Sequence, residues 1–169
     1  MSEEEDQKKS EQYGRLLIFP FSVQTIGRDF PPAALDPELQ LEEFDQNEFF
    51  PDNEAGRYGL AGRGLVLVPA QCRAGQPCHL HLHLHGCGME SGWIGENYAQ
   101  HGGFLPAAQQ AGVVLLFPQV KHSLSNPTGC WDWWGYLGDQ DAFHYATKEG
   151  SQMAGIARMV ERAAGIELF

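Results

Sequence analysis

Apolar positions in this chain gather into short runs set between turn-forming residues. Gly64–Pro69 reads Gly-Leu-Val-Leu-Val-Pro, a short strand stopped by proline. From Cys78 to His85 leucine alternates with histidine, the period of a strand with two unlike faces. Val113–Phe117 is an unbroken apolar run between Gly112 and Pro118, the pattern of a strand buried on both faces of a parallel sheet. Helices are predicted from about Ile94 to Gln100 and from about Leu105 to Ala111, the second stopped by Gly112. Ala146–Ala164 has helical periodicity, with Met153, Ile156, Ala157, Val160 and Ala164 on one face. Strand, turn, helix, strand, loop, helix is the order of an α/β domain.

The remaining segments carry less pattern. Residues 1–12 are acidic and polar, with no apolar residue except Met1, and read as disordered. Residues 13–63 read as an extended, loop-rich segment. From residue 28 it is rich in Pro, Asp, Glu, Asn and Gly, and Phe30, Phe44, Phe49 and Phe50 would pack it onto the domain formed by residues 64–169. A long loop with three tryptophans spans residues 119–144.

At 169 residues and 43% hydrophobic, the chain can build one core. Its net charge of -11 opposes a nucleic-acid partner, because a phosphate backbone would be repelled. No apolar run approaches the length of a membrane span. The N-terminus lacks a basic stretch followed by an apolar one, so it does not read as a secretory signal. Yet the even cysteine count (Cys72, Cys78, Cys87, Cys130) and the short Cys72–Cys78 loop suggest two disulfides and an oxidising compartment. The two signals conflict, and the compartment stays unassigned.

Two stretches carry candidate chemistry. His79, His81, His83 and His85 would project from one face of a strand, and two such imidazoles can chelate zinc if a third ligand arrives. No His-x-His-x-Asp-His motif occurs; Glu90 can be drawn as a further ligand beside His83 and His85, with the glycines out of register. The plainer reading is four polar groups satisfied by their neighbours. His85-Gly86-Cys87-Gly88 fits a different role. In α/β hydrolases a strand ends in such a turn, and a backbone N–H just after it faces the carbonyl oxygen under attack. Glycine lets the backbone turn tightly and approach the substrate. Loss of one such donor costs about 3–4 kcal/mol of transition-state stabilisation.

Four ordered pieces extend this pattern: His85-Gly86-Cys87; Val113 to Gln119; Asn126-Pro-Thr-Gly-Cys-Trp-Asp-Trp-Trp-Gly-Tyr136; and Tyr145 to Met153, running into Ile156–Val160. With Phe44-Asp-Gln46 and the Cys72–Cys78 spacing, they resemble the polyhydroxybutyrate depolymerase and related esterase family over roughly residues 44–165. The resemblance implies an α/β hydrolase with a Ser-His-Asp triad and no cofactor or metal, usually secreted, cleaving esters of short-chain hydroxyalkanoate polyesters. It implies the Cys87 amide, flanked by Gly86 and Gly88, as oxyanion donor. It implies Cys87–Cys130 and Cys72–Cys78 disulfides. Trp131, Trp133, Trp134 and Trp93 become candidates for the substrate-cleft wall.

One family motif does not occur. No serine lies in Gly-x-Ser-x-Gly: Ser91 has the wrong spacing, Ser123 and Ser125 lack a glycine frame, and no strand precedes Ser151. The order Ser123, Asp132, His144 imitates a triad in sequence only. The chain therefore reads as a partial α/β-hydrolase sheet, either a truncated family member or, the favoured reading, the C-terminal half of a circularly permuted one. It would be inactive alone, with the missing half as a possible partner. Two other readings stay open: a zinc-binding domain using the His79–His85 strand, and a non-catalytic polyester-binding module.

Overall fold

The computed structural model describes residues 39–138 and 144–165. The expectations for residues 1–12 and for Phe30 lie outside them. Four strands form one mixed sheet in the order β1-β2-β4-β3. They are β1 (Glu42–Asp45), β2 (Arg63–Leu67), β3 (His79–Leu82) and β4 (Val113–Phe117). β2 runs antiparallel to β1 and to β4, whereas β3 runs parallel to β4 with His79 opposite Val113 and Leu82 opposite Leu116.

The period of two along β2 and β4 builds a core on each face of the sheet. Val66, Val68, Val114 and Leu116 join Phe44, Phe49, Phe50, Met159 and Ala163 on one face. Leu65, Leu67, Val113, Leu115 and Phe117 join Ala99, Leu105 and Ala108 on the other. All five residues of β4 are buried, as its unbroken apolar run requires. On β3 the leucines turn to the first face, while His83 packs against Tyr98, Phe104 and Phe117 of the second.

Five helices complete the domain: α1 (Ala70–Arg73), α2 (Ser91–Ile94), α3 (Asn97–His101), α4 (Phe104–Ala111) and α5 (Ser151–Ala164). The helix expected over 94–100 is broken into α2 and α3 at Gly95, whose φ of 63° is left-handed. α4 ends at Gly112 as expected, with φ at 64°. The segment 39–63 is more structured than its composition suggests. It contains β1 and two 3-10 turns, Asn47–Phe49 and Ala55–Tyr58. Phe44 packs where it does because residue 64 is glycine: a β-carbon there would fall 2.5 Å from the Phe44 ring.

α5 corrects the sequence reading twice. It starts at Ser151 rather than Ala146, and its buried face is Gln152, Gly155, Met159 and Ala163. Met153, Ala157 and Ala164 are exposed. The reason is local. Gly155 lets the Phe50 ring lie against the helix backbone, and Gln152 is buried because both ends of its amide are hydrogen-bonded.

Candidate active site

The site begins where β3 ends. The His83 amide donates to Leu116 O at 2.8 Å, which extends the pairing with β4 beyond the strand and carries the chain to a buried His85. The Val120 amide donates to His85 Nε2 at 3.1 Å, so the ring proton sits on Nδ1, 2.8 Å from Gly86 O. The Trp131 indole N–H donates to His85 O at 2.8 Å. Three hydrogen bonds thus fix the residue that enters the Gly86-Cys87-Gly88 turn.

The turn is held from its other side as well. Cys87 is disulfide-bonded to Cys130, and the Gly88 amide donates to Thr128 O at 2.6 Å. Gly88 has φ at 70°, a left-handed conformation that suits glycine. The Cys87 N–H itself makes no hydrogen bond among the described residues. The second disulfide joins Cys72 to Cys78 ahead of β3.

The aromatic loop is shaped by buried polar side chains. The Asn126 side chain closes residues 126–130, donating to Cys130 O at 2.8 Å and accepting from Cys130 N at 2.9 Å. Asp132 accepts from the amides of Gly135 and Tyr136, at 2.6 and 2.9 Å, and from Leu137 at 3.3 Å. Gln152 accepts from the Asp132 amide at 2.8 Å and donates to Tyr58 O at 3.0 Å, tying the loop to α5 and the 55–58 turn. On this frame Trp131 is half-buried against the His85 ring, while Trp133 is 71% exposed and stands edge to face with Trp134 at 5.0 Å. Trp93 is also exposed and lies 6.0 Å from the His122 ring.

The structure therefore brings Cys87, Cys130 and Trp131 together around one turn. Trp133 and Trp134 project from the same loop, and Trp93 lies on α2. The sequence reading named Gln46, Gln119, Asn126 and Gln152 only as motif positions and Glu90 only as a drawn metal ligand; it missed that all five are buried groups that hold the site. Gln46 accepts from the Gln119 amide and donates to Gln119 O, both at 2.9 Å, and Gln119 Oε1 accepts from the Ser91 amide at 2.8 Å. This chain of amides connects the end of β1 to the start of α2. A signal for Asn126 was present, since Asn before Pro favours a turn; the sequence neighbours of Gln46, Gln119 and Gln152 offer none.

The histidines of β3 fall along a gradient of burial. His79 is exposed, His81 and His83 are half-buried and His85 is buried. Burial lowers the pKa of His81 and His85, and brings His83 down to about 4, with smaller contributions from His81 and His85 beside it. The Tyr98 hydroxyl pairs with His83 Nε2, and His81 Nε2 lies 3.4 Å from His83 Nδ1. Among the described residues no three His, Cys, Asp or Glu side chains converge as metal ligands. Ser123, Asp132 and His144 do not link up either. Ser123 Oγ lies against Ser125 Oγ at 3.2 Å, and the Asp132 carboxylate is occupied by backbone amides.

The sheet order, with a His-Gly-Cys turn leaving the strand parallel to β4, belongs to part of an α/β-hydrolase. Two crystal structures share the fold, each with a TM-score of 0.62 and 30% identity. One is the PHB depolymerase from Penicillium funiculosum, matched over 77% of this chain and 41% of that one; the other is a PHB depolymerase variant complexed with an R3HB trimer, matched over 78% and 42%. By sequence the chain is 38% identical over 124 residues to a poly(3-hydroxybutyrate) depolymerase of Delftia acidovorans, covering 72% of this chain and 23% of that protein. It is 35% identical over 127 residues to a polyhydroxybutyrate depolymerase of Talaromyces funiculosus, covering 64% and 35%. No family model matches. The chain is related to the polyhydroxybutyrate depolymerases, and it spans about a quarter to a third of the curated relatives' length.

Proposed function

We propose that this chain supplies the oxyanion-donor turn and one wall of the substrate cleft of a serine esterase acting on short-chain hydroxyalkanoate polyesters. The Cys87 N–H is the donor, and its fixed, unbonded amide is the observation that carries the reading. In the reaction a serine attacks the ester carbonyl, the Cys87 amide stabilises the oxyanion, and water releases the acid. Trp133 and Trp134 offer aromatic surface to the apolar polyester. The serine comes from outside these 169 residues, consistent with the lack of a Gly-x-Ser-x-Gly turn. β3 has a single strand neighbour among the described residues, so its outer edge is available to another strand of the hydrolase sheet.

Hydrolysis of a chromogenic short-chain ester tests this, with the chain purified alone and co-expressed with the neighbouring reading frame. Serine-dependent turnover only with the neighbour is expected. Turnover by the chain alone that a serine-directed inhibitor abolishes would overturn the reading. The exposed tryptophans favour one alternative, a non-catalytic polyester-binding module. Binding to insoluble polyester without serine-dependent turnover in either preparation would select it.

A further inference from the structure

One pair of side chains beside the oxyanion turn has no part in that reading. Glu90 is 2% exposed, a depth at which a carboxylate needs its lone pairs filled. Gly92 N–H donates to Oε2 at 2.5 Å and the His122 ring meets Oε1 at 2.9 Å through Nδ1. A carboxylate only accepts, so Nδ1 is the protonated ring nitrogen and Nε2 of the neutral imidazole carries the lone pair. The His122 side chain is 56% exposed, and among the described residues its ring has no other hydrogen-bond partner. Glu90 packs against Gly129, next to Cys130 and hence to the Cys87 turn: a β-carbon on Gly129 would lie 2.8 Å from Glu90 Cγ. The exposed Trp93 ring flanks His122 edge-on.

We infer that Glu90 and His122 form a nucleophilic dyad that cleaves small activated aryl esters without a serine. Nε2 attacks the acyl carbon; the C–N bond forms, the C–O bond breaks and phenolate leaves. Water then adds to the acyl-imidazole, releasing the carboxylic acid and returning the free ring. The products balance as ester plus water giving acid plus phenol, with no further reactant. Glu90 keeps the proton on Nδ1 and stabilises the positive charge that grows on the ring during attack, as a carboxylate does for histidine elsewhere. Trp93 gives the aryl group an apolar flank.

The test is release of p-nitrophenolate from p-nitrophenyl acetate by the purified full chain, treated beforehand with a serine-directed phosphonylating reagent. The expected rate per chain exceeds that of an equal concentration of free 4-methylimidazole by roughly tenfold or more. His122→Ala is expected to bring it to that reference, with recovery on adding imidazole. Glu90→Gln, which keeps an acceptor but removes the charge, is expected to lower it several-fold. His101→Ala removes another exposed imidazole and is expected to leave it unchanged. A rate no higher than the reference, a rate lost to the serine reagent, or a rate retained in His122→Ala would each overturn the dyad. Loss to the serine reagent would overturn the proposed serine dependence on a partner as well, whereas the other two outcomes leave that reading intact.

Discussion

The Val120 amide donates to His85 Nε2 across 3.1 Å, joining the residue that enters the Gly86-Cys87-Gly88 turn to the chain that has just left β4. This bond selects the ring tautomer, and through it the 2.8 Å contact of Nδ1 with Gly86 O. Replacing His85 by Phe preserves a ring against Trp131 but leaves the Val120 N–H without its acceptor. Burying an unpaired amide costs about 1–3 kcal/mol. A loss of that size is expected in urea unfolding.

Acid is expected to weaken the domain through the β3 histidines. Their folded pKa values are lowered by burial, so the unfolded chain binds more protons than the folded one below the ordinary value of 6.5. Their contribution to stability is complete above that value and is lost as pH falls, for His83 until about 4. Urea midpoints measured across this window should fall with pH. His83→Phe should flatten the lower part of the fall, because Phe104 and Phe117 can accept a further aromatic ring. A slope identical to that of the parent chain would remove His83 from the account.

Gly155→Ala is expected to destabilise, although alanine is the better helix former by about 1 kcal/mol. Its β-carbon would stand 2.4 Å from Phe50 Cζ, and the Phe50 ring is stacked on Tyr58 at 4.8 Å, which limits its retreat. Overpacking of this kind costs about 1–3 kcal/mol, so the net change should be a loss. Thermal unfolding of the two proteins decides it.

Gln152→Leu keeps the side-chain volume while removing the partners of the Asp132 amide and of Tyr58 O. The expected cost is about 2–4 kcal/mol, since the Asp132 amide, Tyr58 O and the Tyr136 hydroxyl each lose a bond. The Trp131–Trp134 loop should also loosen, seen as increased quenching of tryptophan fluorescence by acrylamide. Unchanged quenching would mean that Asp132 and Asn126 hold the loop unaided.

How far the sequence could be read depended on whether burial was apolar or polar. β4 was legible because five apolar residues between Gly112 and Pro118 admit little else, and α4 because Gly112 ends it. β1 was not. It reads Glu-Glu-Phe-Asp, and only Phe44 turns to the core, so the strand is recognisable only once β2 lies beside it. The face of α5 misled because apolar residues occur on both sides of the helix; Phe50 and two hydrogen-bonded partners decided for Gln152 and Gly155. At the candidate site, the glycines and cysteines of the turn carry a motif, and the Cys87–Cys130 disulfide that it implied is present. Glu90, Gln119, Asn126 and Gln152 resemble surface residues in one dimension, and only their partners, tens of residues away in several cases, take them inside.

The bond between Cys87 and Cys130 also has a consequence for the chain as a covalent object. It closes a ring that contains α2, α3, α4 and the central strand β4, while β3 and α5 remain outside it. Lys121–Ser125 is an exposed stretch of that ring. A protease that cuts there opens the ring without dividing the molecule. The two pieces stay linked as one species and part only when the disulfide is reduced.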